Sequence, residues 1–138
     1  MLARVRRVVF LLLIAPIGLA GCGGGDDGGD DATGLAREVE AVVDQLERSL
    51  ANGDYERICN ELLSSEVRQQ AGGGDCPGML ERTSGGLERP RIEVKGIQIR
   101  GSMATVDVVT SAKAQAPARD RIRLVREQGA WRISSLSG

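Results

Sequence analysis

The sequence predicts an α+β domain, with two to three N-terminal helices packed on one face of an antiparallel sheet of about four strands. Three observations predict it. Between positions 35 and 83 apolar residues recur at steps of three and four, the period of a helix. After Pro90 they recur at steps of two, the period of a strand. The two regimes follow one another without interleaving, which sets helices to one side of an antiparallel sheet. A leader and a glycine-rich segment come first, dividing the chain into 1–21, 22–34 and 35–138.

The 138 residues suffice for one domain. Three of the eighteen basic residues, Arg4, Arg6 and Arg7, lie in the leader. The remainder carries fifteen bases against nineteen acids, a net −4. With no basic stripe, this balance predicts no nucleic-acid partner. Phe10 also lies in the leader, so Tyr55 and Trp131 are the aromatic residues of the rest, which has no histidine. The core therefore rests on Val, Ile, Leu and Ala.

The leader has a secretory layout: a cationic start, an apolar run from Val8 to Ile17, then small residues. Pro16 and Gly18 interrupt an apolar stretch already shorter than the roughly 20 residues a transmembrane helix needs. The run Leu19-Ala20-Gly21-Cys22 closes it and resembles the lipobox of bacterial lipoproteins. The resemblance implies cleavage before Cys22 and a diacylglycerol on its thiol. Two acyl chains give stable membrane residence where one does not. The expected location is the extracytoplasmic face of the cell membrane.

Gly23 to Gly34 reads GGGDDGGDDATG, too poor in apolar groups to fold, and is expected to be a disordered tether. Its aspartates come as adjacent pairs, without the alternation and closing glutamate of a calcium loop, so no metal is expected. No cofactor is expected either.

Leu35, Val39, Val42, Val43, Leu46 and Leu50 form one helix face, and Asn52-Gly53 ends it. Charges such as Glu38 and Glu47 fall on the solvated side. Asp54 caps a second helix carrying Tyr55, Ile58, Cys59, Leu62 and Leu63 on one face. Ser64 and Ser65 cap a short turn through Val67. Asp75, Cys76 and Pro77 start a third helix, with Met79, Leu80 and Thr83 facing inward. Cys59 and Cys76 in an exported chain default to a disulfide. A redox pair or metal site is the alternative, disfavoured by the wide spacing and the missing histidine.

Ile92 and Val94 alternate with polar residues, and Ile97 and Ile99 continue one residue out of phase, with Gly96 at the shift. A β-bulge accounts for both. Gly101-Ser102 turns the chain into Ala104, Val106 and Val108. Ala112 to Ala118, containing Pro117, reads as a loop. Ile122 and Leu124 follow, then a Gln128-Gly129 turn and Trp131 and Ile133.

The long first helix, the Gly53-Asp54 turn and the closing Gly129-Ala130-Trp131-Arg132-Ile133 strand together resemble nuclear-transport-factor-2-like, cystatin-like domains of small secreted bacterial lipoproteins. The resemblance covers roughly 35–137. It implies a curved sheet wrapped around helices as a cone with an open mouth, and a bridge between Cys59 and Cys76. Enzymes of that superfamily resemble ketosteroid isomerase, with a carboxylate base and a tyrosine or acid donor. Asp107 and Tyr55 are the one such combination here, yet Asp107 alternates with core-facing valines. Trp131 reads as a core plug rather than a stacking surface, and Arg119, Arg121, Arg123 and Arg126 as an exposed face or a site for acidic partners.

The expected function is a non-catalytic, lipid-anchored module for a small ligand or envelope protein, with Tyr55, Trp131 and Asp107 as the candidate pocket. The alternatives are an acid/base enzyme of isomerase or dehydratase type using the cone, and a passive envelope component.

Overall fold

The computed structural model describes residues 27–137, with side chains described from 31 to 136. The leader, Cys22 and the start of the tether lie outside the described residues. Helix α1 spans Asp27–Asn52, so it begins inside the segment expected to be disordered. The buried face from Val39 to Leu46 holds it to the core, and a formed helix extends by one further hydrogen bond per residue. Asp31 in the early turns suits the positive end of the helix dipole.

Val39, Val43 and Leu46 are fully buried, as the periodicity predicts. Gly53, at a φ of 67°, ends α1 in the left-handed conformation. Asp54 then accepts from the Arg57 amide at 3.2 Å. The second helix is only briefly regular. Helix α2 (Tyr55–Arg57) passes into a π-helix over Ile58–Leu62, closed by the Leu63 amide donating to the Ile58 carbonyl at 3.0 Å. Leu63 itself is extended and forms a parallel bridge with Ile133. The wider π turn keeps Ile58, Cys59 and Leu62 buried while releasing Leu63 to the sheet.

Ser64 caps α3 (Ser65–Gln70) by accepting from the Val67 amide. The Glu127 carboxylate adds a second cap across the fold, accepting from the Ser65 amide at 3.2 Å. A 3₁₀ turn over Gly73–Asp75 leads into α4 (Cys76–Ser84), with Pro77 in its first turn. Cys76 and Leu80 turn toward the core, whereas Met79 and Thr83 face solvent, against expectation. Thr83 instead donates its hydroxyl to the Met79 carbonyl at 3.0 Å. Cys59 and Cys76 form a buried disulfide that ties α4 to the π-helix.

Four strands follow: β1 (Arg91–Arg100), β2 (Met103–Ala112), β3 (Gln115–Glu127) and β4 (Ala130–Ser137). They pair in chain order as an antiparallel meander. In β1 the register shifts between Val94 and Gly96, making Lys95 the extra residue of the expected bulge. The expected loop from Ala112 to Ala118 is mostly strand. A two-residue turn at Lys113-Ala114 replaces it, and Ala116-Pro117 oppose Ser111 as a second bulge. Proline is tolerated there because β4 pairs with β3 only from Arg121 onward, leaving that edge open. Gln128 and Gly129 both take positive φ, the conformation of a two-residue hairpin turn whose twist matches its strands. The helices cover one face of the sheet, α1 lying against β1. Ala104, Val106, Val108, Ile122, Leu124 and Ile133 close the core from below.

Glu47 departs from its expected solvated role. Its carboxylate accepts from the Ile92 amide at 2.6 Å and lies 3.7 Å from Arg91, fixing the start of β1 to α1.

Candidate functional site

Between the helices and the sheet lies a cavity of about 360 Å³. Leu46 and Leu50 of α1, Ile58 and Leu63, Val67 and Ala71, and Leu80 form its helical wall. Ile92, Ile122 and Leu136 form the sheet wall. Its polar lining residues are Ser84 of α4 and Thr110, Asp120 and Arg121 of the sheet, with Thr110 and Asp120 hydrogen-bonded to each other. An apolar hollow of this size with a few polar groups has the character of a small-molecule site.

Asp120 reaches this rim through strand alternation. It pairs with Val108 across β2, on the face that carries Ile122 and Leu124 into the core. The Thr110 hydroxyl donates to its Oδ2 at 2.6 Å, the one hydrogen bond of this carboxylate among the described residues. An ionised carboxylate has about four lone-pair sites, so acceptor capacity remains for a guest. Sequence reasoning missed Asp120 because Ala112 to Ala118 was read as a loop and the inward alternation was followed only from Ile122. The signal was present, since the period that turns Ile122 inward also turns Asp120 inward.

The three expected pocket residues do not meet. Trp131 is 4% exposed, in the core. The Arg126 guanidinium lies 5.4 Å from its ring centroid and bonds to Glu38 at 3.2 Å and the Gly129 carbonyl at 3.3 Å. Arg126 therefore leaves the outward arginine run and closes the inner face, since it pairs with Trp131 across β4. Tyr55 is half-buried against the core beside α1. Asp107 faces away from the cavity, as its alternation predicts, and accepts from Arg121 Nε at 2.9 Å on the outer face. None of the three lines the cavity.

Among the described residues no group of three histidine, cysteine or acidic side chains is placed to hold a metal. No helix among them is long and apolar enough to cross a membrane.

No protein-family model matches the chain, and no curated protein matches it. Solved structures do. The solution structure of RPA3114, a SEC-C motif containing protein from Rhodopseudomonas palustris, aligns at 18% identity with a TM-score of 0.55, over 72% of this chain and 77% of that one. An NTF2-named chain, Rd1NTF2, aligns at 11% identity with a TM-score of 0.51, over 80% of this chain and 98% of that one. A de novo designed NTF2 fold protein, NT-9, aligns at 19% identity with a TM-score of 0.47, over 72% and 83%. Helices first, then a curved antiparallel meander that closes over them: this is the α+β fold of the nuclear-transport-factor-2-like domains.

Proposed function

We propose that the protein is a lipoprotein held at the extracytoplasmic face of the cell membrane through Cys22, and that its domain is a non-catalytic binding module. The ligand is small, mostly apolar, and ends in a hydrogen-bond donor or cation. The observation that carries this reading is the apolar cavity of about 360 Å³ with Asp120 at its rim. The walls favour a hydrocarbon body, and the carboxylate, bonded only to Thr110 among the described residues, favours a donor-bearing end.

Calorimetric titration with decylamine and decanoate tests the ligand reading. Decylamine is expected to bind more tightly than decanoate. Asp120→Asn should weaken the amine at least about tenfold, or about 1.4 kcal/mol. Preference for decanoate, or binding of neither probe, overturns the reading. The anchor is tested separately by palmitate labelling, expected on the native chain and absent from Cys22→Ser.

The same carboxylate supports a second reading, an acid/base enzyme using the cone. Asp120, facing the cavity, would then be its base in place of Asp107, which is paired to Arg121 on the other face.

A further inference from the structure

The outward face of the sheet carries a second feature, which meets the cavity only at Asp120 and Arg121. A groove of about 710 Å³ is lined by Lys95, Arg119, Arg121 and Arg123, with Asp107 and Asp120 as its acids. It adjoins a second hollow of about 330 Å³ that adds Arg100. Arg119, Arg121 and Arg123 are alternate residues of β3, so they stand in file on one face at steps of about 6.7 Å. Arg121 is matched by Asp107. Among the described residues Arg100, Arg119 and Arg123 have no carboxylate partner.

Composition does not force this arrangement. The chain has one more acid than base, yet of the five cations here only Arg121 and Lys95 have a carboxylate partner among the described residues, Asp107 and Glu93.

We infer that this groove docks a linear polyanion that carries no bases, a flexible polymer with a phosphate or carboxylate on each repeat. Guanidinium forks pair bidentately with either group. A file of charges in a hollow suits a strand-like polymer, whereas a bilayer presents a plane. Single-stranded nucleic acid binds through aromatic platforms, each stacked base contributing about 1–3 kcal/mol. Trp131 is buried in the core and Tyr55 lies on the helical side, so among the described residues the groove has no such platform.

The test uses the intact chain with long-chain inorganic polyphosphate as the probe. Oligo(dT) and phosphatidylglycerol vesicles serve as rivals. Binding is expected to weaken with salt, with a log–log slope near −2 for three contacts at about −0.7 each. The double variant Arg119→Ser/Arg123→Ser should lose at least about tenfold in affinity and bring the slope to about −0.7. A control pair on exposed helical positions, Arg48→Ser/Arg68→Ser, should change neither. The inference is overturned if polyphosphate fails to bind, if both double variants lose affinity alike, or if oligo(dT) or the vesicles bind more tightly. Decylamine binding by the Arg119/Arg123 variant should stay unchanged, which separates this groove from the cavity.

Discussion

Asp107 and Asp120 sit on neighbouring strands with opposite surroundings. Asp107 is half-exposed and tied to Arg121, and exposed pairs of that kind contribute about 0–1 kcal/mol. Asp107→Ala should therefore shift the denaturation midpoint little and leave decylamine binding intact, whereas Asp120→Asn should not. Both orientations follow from period-two alternation alone. Asp107 was legible as outward because Val106 and Val108 flank it. Asp120 was not, because Pro117 hid the beginning of its strand. Tyr55 and Trp131 were legible as packed residues, but side chains that fill a core on separate elements do not converge into a pocket. Cys59 and Cys76 form the expected disulfide. Closing a loop of that length limits the unfolded chain and contributes about 3 kcal/mol. Urea denaturation of Cys59→Ser/Cys76→Ser should show a loss of that order with reduced cooperativity at physiological temperature.

Among elements, β1 shows how much a broken period can reveal. Ile92 and Val94 face inward, then Ile97 and Ile99 do, and only one extra residue reconciles the two phases. Deleting Lys95 should carry either pair to the solvent face, because a one-residue slip flips every side chain beyond it. The expected outcome is loss of the cooperative thermal transition by near-ultraviolet circular dichroism. A point truncation such as Leu124→Ala should instead lower stability by about 2–5 kcal/mol with the transition retained. The second helix was read less well. Its apolar residues fit a regular 3.6 period, but Leu63 is drawn out to bridge Ile133, and a pattern of apolar residues does not encode such a long-range partner. The Lys113-Ala114 turn was also missed, since alanine at a positive φ carries no turn signature.

At the scale of the whole molecule, helices before a meander fix the architecture, and that much was legible from two periods and their order. The far N-terminal reach of α1 was not, because six glycines and four aspartates from Gly23 to Gly34 read as unfolded. With the helix starting at Asp27, four residues separate it from Cys22. Fractionation of cells expressing the native chain should find it with the membrane, and Cys22→Ser should move it to the soluble extracytoplasmic fraction. Retention of the serine variant with the membrane would rule out the thioether as the anchor.

The course of α1 gives the domain a direction. Glu38 meets Arg126 at the end of β3, while Leu46 and Leu50, about 12–18 Å further along the helix axis, line the cavity beside Ile92 and Thr110. Asp27, where α1 begins, therefore lies toward the Arg126 end of the domain, away from Leu46 and Leu50. On the proposed anchoring through Cys22, a bilayer would adjoin that end as a floor, and the cavity walls formed by Leu46 and Leu50 would stand on the far side of the moored module.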